Sequence, residues 1–199
     1  MTETSDTDVI VVGGGPAGLS AGLFASKNGL ETTLFDTDGT WMHKAHLFNY
    51  LGIGSVGGSE FLATARQQAE DFGVDRRQGE EVTDIESIDD GFAVETADGS
   101  YGTRYVVLAT GANRDLAESL GCDFDGDVVD VGVDMETSVG NAYATGAMVR
   151  PEEWQAAISV GDGAAAALNI LSKERGEHFH DFDTPGDAET VFGTLVDDE

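Results

Sequence analysis

Cysteine, proline and lysine are nearly missing from this chain of 199 residues. It has one cysteine, three prolines, and only Lys27, Lys44 and Lys173 as lysines. The lone thiol, Cys122, excludes an internal disulfide, a CxxC redox pair and a zinc site built from cysteines. With so few cations against 38 acidic residues, the formal charge is −28. That balance argues against nucleic acid and anionic membrane as partners, because phosphate would be repelled. No apolar run approaches the roughly 18 residues of a membrane span. Residues 1–8 are polar and acidic, unlike a signal peptide, so a cytoplasmic location is expected. An acidic disordered chain is the alternative, but 40% hydrophobic residues and periodic segments speak against it. The charge is read instead as a halophile's solubility strategy, an acidic surface that tolerates high salt.

What remains is patterned as an α/β protein. Asp8–Val12 is an apolar, β-branched run suited to a buried parallel strand. A glycine-rich turn follows, then a helix of small residues ending at Asn28-Gly29. Thr32–Phe35 is a second strand, closed by Asp36. Ser59–Phe72 reads as an amphipathic helix. Glu81–Ile88, Phe92–Thr96 and Tyr101–Leu108 read as strands separated by Asp-Gly turns. Ala142–Thr145 is a short strand, and Pro151 suits the first turn of a helix running through Ala164–Leu171. The pattern predicts a Rossmann-like parallel sheet carrying an inserted antiparallel β-meander. One domain is expected over residues 1–180, with 110–140 as a short linker and 181–199 as an acidic tail.

The strongest motif is Gly13-x-Gly15-x-x-Gly18, set between a strand and a helix, with a second strand ending in Asp36. Gly13 permits the tight turn, Gly15 lets a pyrophosphate approach the backbone, and Gly18 allows close helix–strand packing. The helix start, with Pro16 and Ala17, offers free N–H groups and the positive end of its dipole. Asp36 is placed to accept hydrogen bonds from ribose hydroxyls. This fingerprint does not by itself separate NAD from FAD.

Further segments do. Val11–Gly22, Phe48-Asn-Tyr-Leu-Gly52, Gly58-Ser-Glu-Phe-Leu62, Val107-Leu-Ala-Thr-Gly111, Thr137–Gly146 and Trp154-Gln155-Ala156 occur in the order found in the thioredoxin reductase-like flavoproteins, which the chain resembles. The resemblance implies FAD as cofactor, held by Gly13, Gly15, Pro16, Ala17, Gly18, Asp36, Asn49, Val82, Thr110, Gly111, Gly146, Gln155 and Ala156. It also implies that the helix starting near Gln155 points its N-terminus at the flavin ring, and that the chain is a homodimer. Phe61, Leu62 and Phe72 are compatible with such an interface, and equally with core packing.

The resemblance departs in three places. The family inserts an NADPH domain between the Ala-Thr-Gly strand and the second FAD motif. Here Gly111 and Gly140 are closer in sequence than the roughly 30 residues that a βαβ unit needs. The family's CxxC belongs to that domain and has no counterpart. The second FAD motif, which normally ends Gly-Asp, reads Gly146-Ala147. The expected function is an FAD-dependent oxidoreductase without its own NADPH domain, reduced by an external donor or directly by substrate. The alternative is a non-catalytic FAD or ADP-nucleotide-binding sensor or assembly module. A thiazole-synthase-like enzyme is a third reading, which the Ala-Thr-Gly strand and Trp154-Gln155 oppose. Candidate catalytic groups are Lys44, which could offset flavin or phosphate charge, and His43 and His46, which could exchange protons with substrate. Against that stands a role in surface pairing and packing. No metal site is expected, including at His178 and His180.

Overall fold

The computed structural model describes residues 7–188 and 190. The far part of the expected acidic tail lies outside the described residues. Strand β1 (Thr7–Val12) is the centre of the sheet, and its apolar residues face two different cores. Val9 and Val11 point to one side, where helices α1 (Pro16–Lys27), α2 (Gly58–Asp71) and α4 (Ala156–Arg175) pack. Ile10 and Val12 point to the other side, against the meander. A strand that feeds two cores needs a continuous apolar run rather than alternation, and Val9–Val12 supplies it.

Strands β2 (Thr32–Asp36), β5 (Asp75–Gln78), β8 (Ser100–Leu108) and β11 (Ala142–Ala144) join β1 in a parallel sheet. Strands β6 (Val82–Ile88) and β7 (Gly91–Thr96) form the antiparallel meander. The order across the sheet is β5–β2–β1–β8–β7–β6. The nine-residue β8 serves both parts. Beyond β1, its first half pairs with β7 and its second half with β11. Two short strands, β3 (His46–Leu47) and β4 (Val56–Gly57), pair with each other outside this sheet and frame the loop 48–55. The parallel sheet with its meander matches the expected class. No helix among the described residues is long and apolar enough to cross a membrane.

Small residues bring α1 and α4 together. A Cβ at Gly163 would overlap the Ala17 carbonyl, and Ser20 Oγ donates to Val160 O at 2.8 Å. The two helix starts are thereby held side by side.

Three features differ from the sequence reading. β5 has the sequence DRRQ, with no apolar pattern, and exists because β2 offers it backbone partners. Pro151 lies in a bend, not in a helical turn; α4 starts at Ala156, after an extended Gln155. The segment expected as a short linker, for which no elements were predicted, contains α3 (Asp115–Leu120) and a hairpin of β9 (Phe124–Asp125) and β10 (Val128–Val129). Ala117, Cys122 and Val129 from this segment are buried in the meander-side core.

Candidate cofactor site

The site begins where β1 turns into α1. Gly13 adopts φ +120°, and its N–H donates to Phe35 O at 2.9 Å. A Cβ there would strike the Ala109 carbonyl, so only glycine lets β1 and the end of β8 lie this close. A Cβ at Gly18 would overlap the Gly13 carbonyl, so the helix seats directly on the turn. Gly15 is the N-cap of α1 and supplies no side-chain cap, leaving first-turn N–H groups for a ligand.

Charge placement marks the same spot. In a chain this acidic, the first turns of α1 and α4 contain no carboxylate. Those of α2 and α3 carry Glu60, and Asp115 with Glu118. Acids favour helix starts for the same dipole reason that phosphates do. The two starts without acids are those that meet beside the glycine turn. A Cβ on Gly146 would lie 3.2 Å from Ala17 Cβ and 3.4 Å from Ser159 Oγ, which puts the second motif between α1 and α4. Thr110 and Gly111 follow Ala109 on the same rim, with Thr110 Oγ1 donating to Asn113 O at 2.6 Å.

At the β2 end, Asp36 is 2% exposed and lies against Gly14, where a Cβ would overlap its carboxylate. Its Oδ1 accepts the Asp38 N–H at 2.8 Å, and its Oδ2 faces Arg66 Nη2 at 2.9 Å and Arg76 Nη1 at 3.3 Å. Arg66 also pairs with Asp38, and His43 Nε2 meets Asp38 Oδ1 at 2.7 Å. Beside Asp38, the Arg66 guanidinium first and then the His43 ring hold the carboxyl below its ordinary range. The other His43 nitrogen contacts Ser59 Oγ at 2.9 Å, so both ring nitrogens are engaged.

At the opposite end, Asn49 Nδ2 donates to Gln155 Oε1 at 2.8 Å, joining two residues far apart in sequence. Ala156 opens α4 beside them. Trp41 and Trp154 meet with ring centroids 5.2 Å apart. Phe48, Leu51 and Ile53 of the same loop are exposed, Leu51 at 97%. His46 contacts Ser55 Oγ at 2.9 Å and the Phe48 ring. Lys44 is exposed, with no ion pair among the described residues.

The structure therefore gathers Gly13, Gly15, Pro16, Ala17, Gly18, Thr110, Gly111 and Gly146 around one turn, with Asp36 at one end and Asn49, Gln155 and Ala156 at the other. Val82 is buried in the meander-side core with Phe35, the neighbour of Asp36. His43 belongs to the Asp38 network. Leu62 is fully buried in the chain's own core.

Sequence reasoning missed Arg66, Arg76, Asp38 and Arg114. Arg66 had a signal: it lies four positions after Leu62 and three before Ala69, hence on the buried face of α2, where a cation requires an anionic partner. Arg114 had none. It donates to the carbonyls of Ala112, Met148 and Ala147 at 3.1, 3.0 and 3.2 Å, tying the linking segment to the second motif. Cys122 is buried, and burial pushes its thiol up, which opposes a reactive thiolate.

A family model described as pyridine nucleotide-disulphide oxidoreductase matches residues 7–58 and 53–161. The chain is 37% identical over 120 residues to thioredoxin reductase of Treponema pallidum, covering 55% of this chain and 37% of that protein. The match thus spans little more than a third of that relative's length. Among solved structures, a thioredoxin reductase from Gloeobacter violaceus aligns with TM-score 0.81 at 20% identity, covering 92% of this chain and 100% of that one. The thioredoxin reductase of T. acidophilum aligns with TM-score 0.80 at 20% identity, covering 85% and 99%.

Proposed function

Because the chain belongs to the pyridine nucleotide-disulphide oxidoreductase family, we propose that it is an FAD-dependent oxidoreductase whose flavin is reduced by an external donor or directly by substrate. The cofactor is FAD, the group bound by this family. The residues fit it: the acid-free starts of α1 and α4 and the glycine turn suit a pyrophosphate. When bound, FAD supplies the two-electron redox couple.

The protein's own part is positioning. Backbone N–H groups after Gly15 hold the pyrophosphate, and the β2 end holds the adenosine. The α4 start at Gln155–Ala156 would offer its positive dipole end to a bound flavin, whose chemistry builds negative charge. Asn49 fixes Gln155 by their hydrogen bond. Exposed His46 and Lys44, on the segment leading into the loop 48–55, are the groups left to serve substrate, His46 keeping one hydrogen bond to Ser55; His43 is held by Asp38 and Ser59.

The observation that carries this reading is the fate of residues 112–141. Ala117, Cys122, Val129 and Met135 of this segment are buried in the cores of the same sheet, although Val133 is exposed, while the Asn49–Gln155 end stays open with exposed aromatic residues. That combination supports a flavin with no built-in nucleotide domain, reachable by an outside partner. A cytoplasmic homodimer with a salt-adapted acidic surface is part of the proposal. Light scattering tests the dimer, and a higher melting temperature in molar salt than in low salt tests the surface.

The decisive experiment is to purify the chain in molar salt, record the visible spectrum and identify the released cofactor. NADH, NADPH and dithionite are then added separately without oxygen. Reduction by dithionite with little response to NADPH is expected. Prompt, saturable reduction by NADPH would overturn the external-donor reading. A flavin that no reductant changes would favour the non-catalytic module, for which Ala147 is the motivating departure.

A further inference from the structure

Of the two carboxylates at the end of β2, the buried one is poorly placed to meet a ligand. Asp36 is 2% exposed and lies beneath Gly14. A carboxylate offers about four acceptor positions. Asp36 has given these to the Asp38 N–H, Arg66 and Arg76, and what is left is covered.

Asp38 is built differently. It has φ +59°, the left-handed region that aspartate tolerates better than most residues. Its side chain is 37% exposed. Arg66 and His43 both grip Oδ1, while Oδ2 has no hydrogen bond or ion pair among the described residues. One oxygen is thus fixed and the other presented. The loop that carries it borders the phosphate turn: a Cβ on Gly15 would lie 3.5 Å from Thr40 Oγ1. The Arg66 and His43 contacts also keep the carboxyl ionised.

We infer that Asp38, not Asp36, is the residue that accepts a ribose hydroxyl of the adenosine half of FAD, with Arg66 and His43 as its positioning residues. The inference rests on FAD as the cofactor. Asp36 anchors the clasp from below, holding Arg66 and the Asp38 backbone in register with Gly14.

The test is displacement of FAD from the purified holoprotein by ADP, 2′-deoxy-ADP and 3′-deoxy-ADP, followed by flavin fluorescence. A hydrogen bond to a charged acceptor predicts that ADP displaces FAD about ten-fold better than at least one deoxy analogue. Asp38→Gly, which suits the left-handed backbone, should bring that ratio close to one. His43→Ala should lower it partly. Asp36→Asn should lower the melting temperature while keeping the ratio. A ratio unchanged in Asp38→Gly overturns the inference, even if Asp36→Asn fails to fold. So does a wild-type protein that does not distinguish ADP from either analogue. A chain that carries no FAD and takes none up defeats the cofactor assignment first, and this inference with it.

Discussion

At the β2 end of the site, the Asp36 carboxylate and two guanidinium groups lie under near-complete cover, with Asp38 partly exposed above them; at the Asn49–Gln155 end, aromatic and aliphatic side chains stand in solvent. The first end is set by charge in a region poor in water, so its geometry exists before any ligand arrives. The second is held by neutral contacts, among them the Asn49–Gln155 hydrogen bond and a pair of tryptophans, and it leaves apolar surface to water. Contiguous exposed apolar surface usually marks an interaction site. The contrast suggests a division of labour: one end grips the cofactor, and the other is left free to meet something that arrives and departs.

The sharpest way to break this contrast is Arg66→Ala. Removing a guanidinium from buried Asp36 leaves charge that only Arg76 still offsets, so urea unfolding should show a loss of about 3 kcal/mol. A loss below about 1 kcal/mol, the range of an exposed pair, would mean that charge does not hold this end. The matching change at the open end, Trp154→Ala, should cost about 1 kcal/mol or less, the value of an aromatic pair. Its effect belongs in the rate of flavin reduction, and an unchanged rate would take Trp154 out of the open end's function.

Smaller still is the acid response of Asp38. Its carboxyl is lowered in the folded protein, so the stability it contributes is present above its unfolded value and is lost as pH falls through the folded one. The stability difference between wild type and Asp38→Asn should therefore shrink only in acid, below the ordinary carboxylate value of 3.8. A difference that stays flat down to the acid transition would show that Arg66 does not set this carboxyl. The smallest effect is expected for Lys44→Ala, within about 0.5 kcal/mol in stability. Unchanged flavin reduction in that variant would leave Lys44 a surface residue.

The sequence made the phosphate turn legible because its requirements are steric: Gly13 and Gly18 are needed where a Cβ would meet backbone. The parallel strands were legible from Val9–Val12 and Tyr101–Leu108, whose apolar runs answer to buried faces. β5 was hidden because its strand character comes from β2 and not from its own charged residues. The Asp36–Arg66 clasp was hidden because ion pairing between distant elements leaves no period in the sequence. Asn49 and Gln155 were named separately by resemblance, and nothing in the sequence indicated the bond between them. The helix and hairpin of the linking segment were not legible because single buried residues such as Ala117 and Val129 look the same in a loop as in a core.

β8 and β11 are adjacent parallel strands, and the residues between them depart and return side by side, with Val106 N–H donating to Asn141 O at 3.1 Å. A loop whose ends are already neighbours can change length at little cost, about 0.6 kcal/mol for each doubling. The position therefore behaves as a cassette slot. A compact helix-and-hairpin fills it here, and a larger folded unit could be spliced in without shifting Gly111 or Gly146. In an engineered chimera, the identity of the electron donor could then be changed by exchanging the cassette alone.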